Sequence, residues 1–146
     1  MSGNLAENRK AKLNFLIEER FEAGIELTGN ETKAIRAGKA SLEGARVLIR
    51  GGEAFVVGLH IEHYQPKNMA PGHETDRTRR ILLKKKEILR LATSLKGTPL
   101  TILPISLYNK SGKIKVEVAL CKNKSKHDKR EALREKDDKL RMRQAS

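Results

Sequence analysis

The segment KIKVEVAL (residues 113–120) alternates between charged and apolar side chains, and this alternation constrains the fold more than any other feature. Ile, Val, Val and Leu occupy the even positions, and Lys, Lys and Glu occupy the first three odd positions. Successive side chains of a β-strand point to opposite faces, so this period of two predicts a strand with one face in a core and the other in water. The apolar run TPLTILPISLY precedes it across the turn sequence NKSG, so we expect an antiparallel hairpin.

Upstream sequence indicates more strands and at least two helices. Two apolar runs flank Gly51-Gly52, which favours a second hairpin, and LNFLIEERFEAGIEL (residues 13–27) has a strand-like pattern. Thr28 and Glu31 match a capping box for a short helix, and an amphipathic helix is predicted late in residues 77–97, beyond a loop at 62–76. Short antiparallel strands with two or three helices predict a mostly β chain, suited to a small barrel whose edges are closed or covered.

Net charge limits the class of partner. The chain has 146 residues, enough for one modest core, and carries 31 Lys and Arg against 18 Asp and Glu, a formal net charge of +13. This surplus favours a polyanion, most plausibly nucleic acid. An anionic membrane is the other candidate, but the sequence holds no good amphipathic membrane helix, no apolar run of about 20 residues and no signal-peptide core. With a single cysteine, an internal disulfide is excluded, and we expect a cytoplasmic protein without a membrane role.

Both ends of the chain are more polar than its middle. Residues 1–12 are predicted as a mobile basic arm, 13–121 as the folded domain and 122–146 as a basic tail. The tail has ten Lys and Arg against five Asp and Glu, and its sizeable apolar residues are Leu133, Leu140 and Met142. Such a segment buries too little to offset an ordering cost of about 1–2 kcal/mol per residue, although its residues are good helix formers. We therefore expect a tail that is disordered alone and becomes helical when its cationic face meets phosphates.

Four strings together resemble one known family. FEAGIELTG, IRAGKASL, RTRRILLKKKEI and KHDKRE occur in this order and spacing, and the chain from about Asn8 to the tail is similar to the SsrA-binding protein (SmpB) family. The resemblance implies an oligonucleotide-binding (OB-like) barrel that binds the tRNA-like domain of transfer-messenger RNA and delivers it to ribosomes stalled on truncated messages. It further implies a monomer that is not an enzyme and needs no cofactor. Its tail would enter the vacant mRNA channel and reach small-subunit ribosomal RNA in the decoding centre.

The resemblance also implies functional residues. The predicted RNA-binding residues of the body are Asn8, Arg9, Lys10, Glu22, Arg36, Lys39, Arg77, Arg79, Leu82 and Lys115. The predicted decoding-centre residues of the tail are His127, Asp128, Lys129, Arg130 and Arg134. A carboxylate such as Glu22 can accept from a base amino group or a ribose 2′-OH, and an imidazole can stack on an exposed base.

Several of these residues also have ordinary structural interpretations. Leu82 fits core packing, Lys115 fits a lysine that protects an edge strand, and Glu22 fits a surface strand residue. Asn8–Ala11 fits a solvated arm, and a histidine in a charged tail is usually only solvated. Arginines and lysines at 77–86 supply six cations within ten positions, either a solvated face or a rigid phosphate-binding patch, of which we favour the second.

The chain departs from the family's usual strings at three places. Asn123 replaces a glycine before the tail and adopts a left-handed conformation less readily, which affects the tail's exit angle. Arg134 replaces a lysine and keeps the charge. The loop sequence HETDRTRR also differs from the family's pattern.

Two rival functional classes make different demands on the sequence. A nuclease or metal enzyme would need clustered carboxylates or histidines, and His60 and His63 fall at a strand end, where helical metal-ligand spacing does not apply. The segment IRGGEA lacks the Lys-Ser/Thr of a phosphate loop. The stronger rival is a generic RNA-binding module, such as a ribosomal protein, which composition alone does not separate from a rescue factor.

Overall fold

The computed structural model describes residues 3–64 and 74–124, together with Arg134. The strands are β1 (Asn4–Glu7), β2 (Phe15–Ile25), β3 (Ala40–Ser41), β4 (Arg46–Arg50), β5 (Glu53–Val57), β6 (His60–Ile61), β7 (Arg79–Leu82), β8 (Leu100–Lys110) and β9 (Lys113–Asn123). The helices are α1 (Arg9–Asn14), α2 (Gly29–Arg36) and α3 (Lys85–Leu95).

Seven strands form one antiparallel sheet in the order β1-β8-β9-β2-β7-β5-β4, and β3 pairs separately with β6. The prediction of a mostly β chain with antiparallel strands and two or three helices is confirmed. The expected barrel is not closed, because the hydrogen-bonded order does not return from β4 to β1. Both end strands are short, and the pairing of β1 with β8 is interrupted by a register shift between Asn4 and Ala6.

Both predicted hairpins are present. Strands β4 and β5 meet at Gly51 and Gly52, whose φ angles of 56° and 75° are those that a tight two-residue turn requires. Strands β8 and β9 pair from Leu100↔Lys122 to Lys110↔Lys113. The even positions of β9 from Ile114 to Leu120 are buried, as the alternation predicts.

The N-terminal segment differs from its prediction. Residues 4–7 form β1 on β8 instead of a mobile arm, and the Asn8 backbone N–H donates to the Ile105 carbonyl at 2.8 Å. The Asn8 side chain then accepts from the Ala11 N–H at 3.1 Å and starts α1, whose Ala11 is buried. Local capping and burial of a small apolar residue outweigh the polar composition of this stretch.

A buried carboxylate joins α2 to β7. The capping box of α2 is confirmed: Thr28 Oγ1 accepts from the Glu31 N–H, and Glu31 Oε1 accepts from the Thr28 N–H at 2.9 Å. The Glu31 side chain is fully buried and also accepts from Arg77 and Arg79, with Arg79 Nε 2.7 Å from Oε2. Burial alone would raise the pKa of Glu31, but bonds from Arg77, the Thr28 N–H and Arg79 outweigh it and lower the pKa to about 2.

Glu31 should make stability fall in acid. Its pKa in the unfolded chain, near 4.5, lies above the folded value, so the unfolded state holds the proton more tightly. The contribution, roughly 3 kcal/mol from the difference in pKa, is present above about pH 5 and is progressively lost as pH falls toward 2. Urea unfolding of the wild type and of Glu31→Gln between pH 7 and pH 3 measures this loss. The difference between their free energies of unfolding should narrow as the pH falls.

The matched control is Glu43→Gln, since Glu43 makes only an exposed ion pair with Lys10. We expect this variant to stay within about 1 kcal/mol of the wild type at every pH. If the free energies of unfolding of wild type and Glu31→Gln differ by the same amount at every pH, Glu31 does not titrate as the buried geometry requires.

Candidate RNA interface

A groove on the outer face of the sheet is built around Gly24. Gly24 of β2 pairs with Leu82 of β7 on one side and with Lys115 of β9 on the other. A Cβ atom at Gly24 would lie 3.4 Å from Leu82 Cβ, an ordinary van der Waals contact, so the leucine side chain lies directly beside Gly24. The surrounding basic groove has a volume of about 380 Å³ and is lined by Gly24, Ile25, Leu27, Thr32, Arg36, Leu82, Gly112, Lys113, Ile114 and Lys115.

Arg36 forms one rim of the basic groove. It ends α2, and its Nη2 donates to the Gly112 carbonyl at 3.0 Å while its Nε lies 3.4 Å from Asn109 Oδ1. These bonds tie the helix to the β8–β9 turn. Lys113 and Lys115 supply the facing cations, and Leu82 is 48% exposed, so the groove has an apolar wall within a positive rim.

Glu22 lies on the same face, one repeat along β2 from Gly24. Its carboxylate accepts from the Tyr108 hydroxyl at 2.6 Å and from Lys110 Nζ at 2.9 Å. The Tyr108 hydrogen bond, then Lys110, lowers the pKa of Glu22, so this exposed group is ionised at neutral pH. Burial and the bond to Glu22 raise the pKa of Tyr108, which therefore remains a hydroxyl donor. The predicted residues Glu22, Arg36, Leu82 and Lys115 are thus brought together.

Arg79 does not belong to this surface. Its side chain is fully buried, and besides Glu31 it donates to the backbone carbonyls of Leu59, Arg77 and Thr75 at 2.7, 3.1 and 3.2 Å. The prediction of a direct RNA contact by Arg79 is therefore contradicted, because residues 79 and 81 of β7 face the core. Arg77 binds Glu31 as well but keeps 30% of its side chain exposed, so its RNA contact stays a prediction.

The cations of residues 77–86 therefore do not form one patch. Arg80 faces outward between Glu26 and Glu53, each 3.4 Å away, whereas Arg77 and Arg79 converge on Glu31. Lys84, Lys85 and Lys86 are exposed at the start of α3. The expected rigid array is divided, because the strand ends at Leu82 and its alternation separates neighbouring side chains.

Asn8 is also buried, with 4% of its surface exposed. Its Nδ2 donates to the Pro104 carbonyl at 3.0 Å and its Oδ1 caps α1, so the predicted direct contact with RNA is contradicted for this residue. Arg9 and Lys10 are exposed in α1, and neither lines the basic groove.

The remaining predicted residues either do not line the basic groove or fall outside the described residues. Lys39 Nζ lies 5.9 Å from the centre of the Tyr64 ring, a cation–π contact. Arg134 is exposed. His127, Asp128, Lys129 and Arg130 lie outside the described residues, as does most of the predicted tail. The root of the tail is described: the Lys124 N–H donates to the Asn14 carbonyl at 3.0 Å, beside the Phe15↔Asn123 pair.

Sequence reasoning missed the two groups that hold Glu22. Tyr108 and Lys110 share the outward face of β8, and the pairing of β8 with β9 places Tyr108 opposite Lys115. Extending the period of two from β9 back across the turn would have identified them. Glu31 was recognised only as a cap. The inward positions of two nearby arginines, at 77 and 79, were the available signal that a buried carboxylate must face them.

Within residues 3–64 and 74–124, no helix is long and apolar enough to cross a membrane. The same part of the chain contains no group of three or more His, Cys, Asp or Glu side chains that could hold a metal ion. His60 instead contacts Asp76, with Nδ1 2.8 Å from Oδ1.

Comparison with known proteins points to one family. The family model described as SmpB protein matches residues 5–146. An SsrA-binding protein of Sulfurihydrogenibium sp. is 47% identical over 133 residues, covering 91% of this chain and 87% of that protein. Those of Clostridium botulinum and Nostoc punctiforme are 45% and 43% identical, covering 97% and 92% of this chain and 90% and 86% of the relatives.

A solved structure gives the same result. A chain in the structure described as "tmRNA-SmpB: a journey to the center of the bacterial ribosome" superposes with a TM-score of 0.68 at 36% identity, over 88% of this chain and 93% of that one. The resemblance inferred from the four sequence strings is confirmed, and this chain belongs to the SmpB family of SsrA-binding proteins.

Proposed function

We propose that this protein binds the tRNA-like domain of transfer-messenger RNA and delivers it to stalled ribosomes for trans-translation. Family membership and the likeness to a chain from a tmRNA–SmpB–ribosome structure support this function. The observation that carries it is that Arg36, Leu82 and Lys115 line one groove, with Glu22 two residues along β2 from the groove residue Gly24. A face of this kind offers charge, apolar contact and hydrogen bonding to one RNA.

Each part of the basic groove has a distinct role in this proposal. Arg36, Lys113 and Lys115 bind phosphates and release counterions, which makes affinity salt-dependent. Leu82 contacts the apolar face of a base or ribose. Glu22 would repel phosphates, but an ionised carboxylate accepts hydrogen bonds from a base amino group or a 2′-OH. Tyr108 and Lys110 hold it in one position, so it selects the register of the RNA rather than attracting it.

The fold separates this groove from the tail. The groove lies at the turn end of β9, around Lys115, and the tail leaves the opposite end at Asn123. Eight residues of strand separate these positions by about 26 Å. We propose that the body holds the tRNA-like domain while the tail enters the empty mRNA channel. There His127 stacks on a base of small-subunit ribosomal RNA, and Lys129, Arg130 and Arg134 meet phosphates.

In this proposal the protein acts as a cytoplasmic monomer without catalysis or cofactor, because its work is to hold RNA in position. A generic RNA-binding module remains the alternative. Binding of transfer-messenger RNA and of ribosomal RNA fragments, each measured at several salt concentrations, separates the two. Equal affinity for both RNAs would favour the generic module.

Replacing Glu22 should weaken specific binding of the RNA more than it changes the salt dependence of binding. We expect Glu22→Ala to weaken binding of the tRNA-like domain about 10- to 150-fold, since one hydrogen bond to a charged group is lost, with little change in the salt slope. Lys115→Ala should instead lower the slope by about one phosphate contact. Fluorescence anisotropy at several salt concentrations measures both quantities.

Glu43→Ala is the matched control, because it removes an exposed carboxylate paired with Lys10 away from the basic groove. Both variants gain one unit of net positive charge. If Glu22→Ala binds the RNA more tightly than wild type, and by the same factor as Glu43→Ala, then Glu22 contacts no base or ribose.

Removing the tail should separate RNA binding from ribosome rescue. A chain ending at residue 126 keeps the basic groove, so we expect affinity for the tRNA-like domain within about threefold of wild type, while peptide tagging on stalled ribosomes is abolished. Anisotropy and a tagging assay with a truncated message test the two parts. A large loss of RNA affinity would contradict this division of labour.

A further inference from the structure

A second patch on the outer sheet face is apolar where a solvent-facing strand would ordinarily be polar. Leu48 of β4 and Phe55 of β5 pair across the hairpin, and Val57 lies one repeat along. With Arg50 and Thr78 these three side chains line an open depression of about 370 Å³. All three apolar side chains are partly exposed, whereas the intervening Ala54 and Val56 are buried in the core. Leu48, Phe55 and Val57 are called the Phe55 patch below.

Strand register places the Phe55 patch on the same face as the basic groove. Phe55 pairs with Arg80 of β7, and Leu82 of β7 pairs with Gly24 in the groove. Residues 80 and 82 point to the same side of the strand, so the two surfaces are continuous across β7. Strands β2 and β5 are two spacings apart, about 10 Å, a separation that a short run of nucleotides can span.

The rim of the Phe55 patch is cationic. Arg46 pairs with Val57 and Arg50 with Glu53 in the hairpin register, and Arg80 borders Phe55 from the other side. Among the described residues, neither Arg46 nor Arg50 takes part in an ion pair, whereas Arg80 is shared between Glu26 and Glu53 at 3.4 Å each. With three arginines against Glu26 and Glu53, the rim keeps a net positive charge, which favours a polyanion.

We propose that the Phe55 patch binds an unpaired base of the same RNA that occupies the basic groove. The base stacks on the Phe55 ring, and the backbone phosphates that flank this nucleotide face Arg46 and Arg50. This inference rests on the proposed function. An aromatic ring on an exposed sheet face, with cations beside it, is the arrangement by which proteins hold single-stranded nucleotides. Three apolar side chains are too few for a stable protein interface, which buries about 800 Å² on each partner.

The absence of tryptophan from the chain allows a direct test. Phe55→Trp introduces a single indole at the patch, and stacking of a base on an indole quenches its fluorescence. We expect the transcribed tRNA-like domain of transfer-messenger RNA to quench the indole fluorescence of this variant as it binds. Leu89→Trp is the control: Leu89 lies on α3 with 68% of its surface exposed, and the fluorescence of an indole there should change little.

Affinity measurements complete the test. Phe55→Leu keeps an apolar side chain but cannot stack, so affinity for the tRNA-like domain should fall about 5- to 100-fold with an unchanged salt slope. Phe55→Tyr preserves an aromatic ring and should bind within about twofold of wild type. Thermal unfolding identifies any variant that fails to fold, and in that case the Phe55→Trp and Phe55→Tyr results decide.

The outcomes separate this inference from the proposed function. If Lys115→Ala weakens binding of the tRNA-like domain while Phe55→Leu does not and the indole of Phe55→Trp is unquenched, the inference is wrong and the proposed function stands. If a ribosomal RNA fragment quenches the indole and the tRNA-like domain does not, the patch serves another RNA and the inference is again wrong. If the wild type fails to bind the tRNA-like domain specifically, both are overturned.

Discussion

The buried Glu31 carboxylate is the contact on which the geometry of the surface depends. It caps the first turn of α2 and receives Arg77 and Arg79, so one charged group connects the helix that ends in Arg36 to the strand that ends in Leu82. Both residues line the basic groove. A buried charge is costly unless fully paired, and here both arginines and a backbone N–H satisfy it. The same interaction that orders the core therefore also fixes the helix and the strand that carry Arg36 and Leu82.

The sheet gives its two faces different roles. Apart from Arg79, which pairs with Glu31, inward positions of β2, β5, β7 and β9 contribute to one apolar core, and outward positions carry exposed hydrogen bonds and ion pairs. On that outward face Glu22 is held by Tyr108 and Lys110, and Leu82 lies over a glycine. If Glu22 and Leu82 contact RNA as proposed, little binding energy is needed to order them, because the sheet already fixes their positions.

Much of the fold could be predicted because its signals are local. The period of two in β9, the Gly51-Gly52 turn and the Thr28–Glu31 capping box depend on residues close together in sequence, and each was identified correctly. The N-terminal strand was missed because β1 is ordered by pairing with β8, about 100 residues away, and by packing of Leu5 and Ala6 on the core. Closure of the barrel was overpredicted, since strand composition does not determine whether the last strand meets the first.

The site was predicted less evenly, for a physical reason. Residue types indicate which side chains can bind RNA but not which way they point. Arg79 and Asn8 are polar and match family strings, yet both are buried as partners of other protein groups. Glu22, Leu82 and Lys115 were named individually, but their proximity follows from the pairing of three strands that are distant in sequence.

The anchor at the base of the tail gives β9 a further property. Asn123 pairs with Phe15, and Lys124 is held by the Asn14 carbonyl, so the last strand is clamped at one end while Lys115 lies near the other. Strand β9 therefore sets a fixed distance between the two proposed RNA contacts. Each residue adds about 3.3 Å and reverses the side on which every later side chain emerges. The span between the two contacts can therefore change only in two-residue steps if the facing side chains are to be kept.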